Sequence, residues 1–130
     1  MSEQTTVPAQ PQPQFERGED FASLYANNVQ FEPSSWDLKL IFGELDQSGG
    51  KVTIEQHTSI TLSWVQAKVM SYFLQANIAA YESVNGKIKI LSDVVPPEPS
   101  PLPQELENNP QAKAVAESIR KIHQEFIASL

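Results

Sequence analysis

The chain has 130 residues, with 9 Lys and Arg against 16 Asp and Glu, 10 Pro, 5 Gly and no Cys. That length has room for one domain and not two, and the lack of Cys excludes a disulfide-stapled fold and a thiolate metal centre. No run of 18 apolar residues occurs, and Met1-Ser2-Glu3-Gln4-Thr5-Thr6 has neither a basic start nor an apolar run behind it. Membrane spanning and secretion are therefore not expected, and a cytoplasmic setting is.

The formal net charge of -7 is unevenly spread. Residues 1–20 set four acids against Arg17, and residues 92–108 hold Asp93, Glu98, Glu105 and Glu107 with no base. Between them, residues 21–91 are close to neutral, with six acids and five bases. Acid in connecting segments keeps them extended and solvated. The five scattered bases form no patch of the kind that neutralises phosphates, so nucleic-acid binding is not expected of the folded part.

Residues 1–20 are rich in Gln, Pro, Thr and Glu and hold one aromatic, Phe15. They cannot bury enough apolar surface to offset the entropy of ordering, and a disordered tail is expected. From residue 21 the pattern alternates, with Tyr25, Asn27, Val29 and Phe31 on one side, until Pro33-Ser34-Ser35 stops it. This predicts a strand and a turn. Trp36, Leu38, Leu40 and Phe42 mark a second strand, closed by Gln47-Ser48-Gly49-Gly50, where glycine tolerates the positive φ of a hairpin connection. Val52, Ile54, Gln56, Thr58, Ile60 and Leu62 then alternate with Lys51, Thr53, Glu55, His57, Ser59 and Thr61. One long strand with an apolar and a wet face is predicted.

Ser63 is placed to cap a helix from Trp64 to about Ser83, ended by Asn85-Gly86, and Lys87 to Leu91 reads as a short returning strand. The expected fold of residues 21–91 is α+β, an antiparallel sheet of three to four strands with one long helix across its apolar face. That helix carries two apolar stripes: Ala67, Met70, Leu74, Ile78 and Tyr81, and Val65, Val69, Tyr72, Ala76 and Ala80. One sheet needs only one of them, and a domain of about 70 residues has a small core. A homodimer interface at Val65, Val69, Tyr72 and Ala76 is expected.

Residues 92–108 form an acidic linker with prolines at 96, 97, 99, 101 and 103, which hold the backbone extended as a semi-rigid spacer. Residues 109–130 then make a separate C-terminal helix, opened by Asn109 and Pro110. Ala112, Val115, Ile119, Ile122 and Phe126 recur at spacings of 3, 4, 3 and 4 and so lie on one seam. A lone helix of this length is marginal in water, so the seam needs a surface. Val115, Ile119, Ile122 and Phe126 are the candidate partner-binding residues, docking in cis, across a dimer, or in a groove of another protein.

No catalytic signature is found. There is no phosphate-cradling glycine loop, HExxH, GxSxG or GxGxxG. Glu55, His57 and Ser59 stand on one predicted strand face, but residues two apart on a strand are separated by about 6.6 Å, too far for a hydrogen-bonded triad. His57 is expected to be an exposed strand histidine and His123 a boundary residue of the last helix. No enzyme activity, cofactor or metal is expected.

The residues Tyr25, Asn27, Val29, Phe31, Ser34, Trp36-Asp37, Leu40 and Phe42-Gly43, followed by Ser63, Ala67, Leu74, Ile78 and Tyr81-Glu82, resemble a small bacterial family known as a domain of unknown function. The resemblance covers residues 21–90 and implies the same strands and Ser-capped helix, with no activity attached. The order of strands and helix is also similar to the PUR repeat, which implies single-stranded nucleic-acid binding on basic and aromatic sheet residues; here the wet face offers Lys51, Thr53, Glu55, His57, Ser59 and Thr61. Val29-Gln30-Phe31-Glu32 before Leu38-Lys39-Leu40 is similar to SecB-type export chaperones. Of these, the expected function is a non-enzymatic, homodimeric protein-interaction or scaffold module.

Overall fold

The computed structural model describes residues 10–130. Three strands, β1 (Asn28–Pro33), β2 (Asp37–Asp46) and β3 (Thr53–Ser63), form one antiparallel sheet in the order β1-β2-β3. Helix α1 (Trp64–Asn85) follows β3 without a break, and α2 (Pro110–Ala128) closes the chain. The fold is α+β. Contacts divide the chain between Ala67 and Lys68, so the sheet and its turns belong to one unit, and most of α1, the Pro-rich segment and α2 belong to the other.

In the first unit, Ser34 makes the β1–β2 turn. Its Oγ accepts the N–H groups of Trp36 and Asp37 at 3.1 and 3.0 Å, and its own N–H donates to the Asp37 carbonyl at 2.9 Å. Trp36 is thereby left at the hairpin tip, 87% exposed. The Trp64 indole N–H returns to the Ser34 carbonyl at 2.9 Å, tying the first residue of α1 to the same turn. Between β2 and β3, Gly49 and Gly50 take φ values of 74° and 77°, as the hairpin reading requires.

The pairing register puts Phe31, Leu40 and Ile60 in one row across the sheet, flanked by Val29, Phe42 and Thr58 and by Pro33, Leu38 and Leu62. Leu40, in the central strand, is the one buried hydrophobic side chain among the described residues, at 5% exposure. Its neighbours Phe31 and Ile60, on the two edge strands, stay exposed.

The register shifts at Phe42 and Gly43, which pair with Thr58 and Gln56, so His57 is an extra residue in β3. This β-bulge corrects the uninterrupted alternation expected from Val52 to Leu62. An added residue reverses the face of everything beyond it. Ile54 and Gln56 consequently lie on the face opposite Thr58, Ile60 and Leu62. Gln56 donates from Nε2 to Gln30 Oε1 on that face at 2.7 Å. Glu55, expected on the wet face, comes opposite Glu44.

In the second unit, α1 ends where the Asn85-Gly86 pair predicts. Gly86 has φ 85° and donates to the Glu82 carbonyl at 3.0 Å. At the other end of the helix, Ser63 Oγ accepts the Gln66 N–H at 3.1 Å, the expected N-cap. Lys87 to Leu91 form no strand, so the sheet has three strands and not four. The Glu82 carboxylate takes the Ile88 N–H at 2.8 Å, and Ile88 lines a shallow groove with Leu74, Ile78 and Tyr81. The segment thus turns back along α1, where a ladder hydrogen bond is replaced by a charged acceptor.

Asn109 caps α2 as its sequence position predicts, accepting the N–H groups of Gln111 and Ala112 at 3.0 and 3.1 Å, with Pro110 at the first helical position. The Pro-rich segment does more than space the two helices. It lies along α2, with the His123 Nε2–H donating to the Pro96 carbonyl at 3.0 Å.

Candidate functional site

The bulge at His57 is held by a set of close contacts. Opposite it, Gly43 is buried, and a Cβ there would lie 2.6 Å from the Glu55 carbonyl oxygen. Only glycine permits the strands to approach this closely. Asn27 extends the β1–β2 pairing beyond the bulge: its backbone N–H donates to the Gly43 carbonyl at 3.1 Å, and its Oδ1 accepts the Leu45 N–H at 2.6 Å.

His57 joins this cluster. Its Nε2 lies 2.9 Å from the Tyr25 carbonyl and its Nδ1 lies 2.8 Å from Thr58 Oγ1. A carbonyl can only accept, so Nε2 carries the proton, and in the neutral ring Nδ1 accepts from the Thr58 hydroxyl. The imidazole is therefore turned toward Phe42, Thr58 and Ile60, and away from Ser59. Glu55, His57 and Ser59 do not share the face that their spacing suggested. A groove of about 440 Å³ lies here, lined by Asp20, Leu24, Ala26, Phe42, His57 and Ile60 among others. Both ring nitrogens of His57 are engaged by the fold, so its role here is to hold the segment before β1 onto the sheet.

Tyr25, Asn27, Gly43 and His57 thus act together, although the sequence spreads them over three predicted strands. One signal that the alternation pattern passed over marks the site: a glycine inside a strand pattern accompanies a bulge or a close backbone approach. At the β2 end, Asp46 accepts from the Ser48 backbone N–H at 2.8 Å and from its hydroxyl at 3.0 Å. These bonds hold its carboxyl below the usual aspartate range. Among the described residues, no group of three His, Cys, Asp or Glu side chains could hold a metal ion.

The apolar surfaces are more extensive than any polar site. On α1, Val65 is 77% and Tyr72 66% exposed, and Val69, Leu74, Ile78 and Tyr81 are exposed as well. Ala76 is exposed on the same helix. Tyr72 and Phe73 meet edge to face, with ring centroids 5.3 Å apart. Apolar residues run round this helix rather than along one side, a pattern that belongs to helices covered on all sides.

The seam of α2 is partly occupied from within its own unit. Pro96, Pro97 and Pro99 line a groove with Ile119, Ile122, His123 and Phe126. Pro101, Leu102 and Leu106 line the next one with Ala112, Val115 and Ile119. All four candidate partner-binding residues fall in these two grooves, yet Val115, Ile119 and Ile122 remain exposed. No helix among the described residues is long and apolar enough to cross a membrane.

Residues 1–90 match the model of a family described as a protein of unknown function, DUF3467. The match covers most of the chain, which therefore belongs to that family. It includes all three strands and α1, and ends before the Pro-rich segment. No curated protein and no solved structure matches the chain.

Proposed function

We propose that this member of DUF3467 is a non-enzymatic, cytoplasmic protein-interaction module that works as a homodimer and presents α2 to a protein partner. The observation that carries the reading is the exposure of apolar side chains round α1, beside a single buried hydrophobic residue, Leu40, among those described. A small domain with so little core needs further apolar burial to offset the entropy of folding, and a second copy is the simplest source. Val65, Val69, Tyr72 and Ala76 form the proposed interface. Obligate interfaces resemble a domain core cut in half, and this stripe has that character.

The α2 seam supplies the second function. Its Pro-rich cover buries only part of Val115, Ile119 and Ile122, and the remaining apolar strip suits a helix-in-groove or helix-pairing contact. The PUR-like alternative draws no support from the charge distribution. Lys39, the base on the sheet face away from the Phe31–Leu40–Ile60 row, is paired with Glu32 at 4.0 Å. The SecB-like alternative rests on the short strand likeness alone.

Light scattering of the full chain beside a truncation ending at Asp93 tests the reading. Dimers of both species, lost together in Val69→Asp with Tyr72→Asp, support an α1 interface and free α2 for partner capture. A monomeric full chain at micromolar concentration overturns the reading. Salt-dependent oligonucleotide binding would favour the nucleic-acid alternative, because counterion release gives a steep slope.

A further inference from the structure

We propose that the free edge of β3 is the dimer's pairing edge: Thr58–Leu62 pairs antiparallel with the same segment of a second copy, Ile60 opposite Ile60, to make one continuous six-stranded sheet. The inference rests on the dimer reading above and specifies where the two copies join.

Among the described residues β3 pairs only with β2, so one side of an 11-residue strand presents its backbone groups unpaired. Proteins usually blunt such an edge with charge, proline or a short length. The bulge interrupts the strand at His57, but from Thr58 to Ser63 it is regular and contains no charge and no proline. The other edge differs. β1 has six residues and ends in Glu32-Pro33, where proline has no N–H to donate.

The sequence of the free stretch is also matched to itself. An antiparallel pair about a two-fold axis places residues of the same sheet face opposite each other, so the axis must pass between the two copies of one residue. Centred on Ile60, Thr58 meets Leu62, and Ser59 meets Thr61. Each residue therefore meets one from the same sheet face, and no like charges are opposed. The row Phe31–Leu40–Ile60 carries the remaining argument: Leu40 is buried by its neighbours, while Ile60, whose only strand neighbour is β2, is 48% exposed. Pairing across the edge would cover that exposed half. The backbone bonds of such a pairing fix direction and register.

Amide hydrogen exchange read residue by residue on the full-length protein tests this. In a lone sheet, alternate N–H groups of Thr58–Leu62 face β2 and the others face solvent. In the proposed dimer both sets are protected, and the outward set exchanges about tenfold or more slower than in the diluted monomer. Because the chain has no Cys, Ser59→Cys with Thr61→Cys gives a clean cross-link test. Facing residues on paired strands lie within disulfide reach, so oxidation should link two chains through these positions. A dimer that keeps alternating protection and gives no cross-link overturns the edge pairing, while leaving dimerisation through α1 intact. Full protection in the monomer also overturns it, since another segment of the same chain would then cover the edge. A chain that is monomeric throughout removes the dimer reading itself.

Discussion

Gly43 and Glu55 approach so closely across β2 and β3 that a Cβ on Gly43 would lie 2.6 Å from the Glu55 carbonyl oxygen. The clash is with backbone, which cannot swing aside as a side-chain end can. Gly43→Ala should therefore destabilise the domain by about 2 kcal/mol, in the range of substitutions that force a packed backbone apart. Urea unfolding at one fixed protein concentration measures it, since dimerisation makes stability concentration-dependent. A variant as stable as the parent would show that the strands can separate freely at the bulge.

Glu55 has a second neighbour of consequence, because the bulge sets it directly opposite Glu44. Like charges facing each other across a strand pair are unfavourable. Glu55→Lys should stabilise the sheet by roughly 0.5 kcal/mol at low salt, with a smaller gain at high salt as screening grows. If salt has no effect on the difference, the pair does not interact.

Asp46 gives the domain an acid-sensitive turn. Its folded-state pKa is lowered by the Ser48 backbone and side-chain bonds, so its contribution to stability is present above the unfolded value near 3.8 and is lost as pH falls through the folded value. Asp46→Asn should leave a chain whose stability falls less steeply between about pH 4 and pH 2 than the parent's. Parallel thermal melts across that window provide the measurement, and identical slopes would remove Asp46 from the acid response.

Asn109 holds two otherwise unpartnered amides at the start of α2. Asn109→Ala should cost about 1 kcal/mol, read as fraying of the first turn by NMR and a lower helical signal in circular dichroism. Asn109→Asp should retain the cap, and a loss equal to that of alanine would contradict this assignment.

The two helices were legible because their signals are local. Ser63 and Gly86 mark the ends of α1, and Asn109 and Pro110 mark the start of α2, each through bonds within a few residues. The strands were legible as elements for the same reason, from period-two alternation and from Pro33-Ser34 and Gly49-Gly50. The Lys87–Leu91 segment shows the limit. Its pattern suits a strand, but a strand needs a hydrogen-bonded neighbour, and the Glu82 carboxylate claims its Ile88 amide first.

The candidate site was less legible, since it depends on register. Alternation along β3 is readable from one strand, but the bulge at His57 exists only in relation to Gly43 across the ladder. That single added residue moves Ile54, Gln56 and Glu55 to the opposite faces and turns His57 toward Tyr25. The amphipathic seam of α2 was likewise evident, whereas its cover of prolines was not, because a chain reversal between Pro96 and His123 leaves no periodic trace. Sequence alone determined the three strands, the two helices, their order and the apolar stripes, through interactions spanning a few residues. Tertiary structure decided which faces those side chains occupy, because strand register and chain reversal are set by groups far apart in the chain.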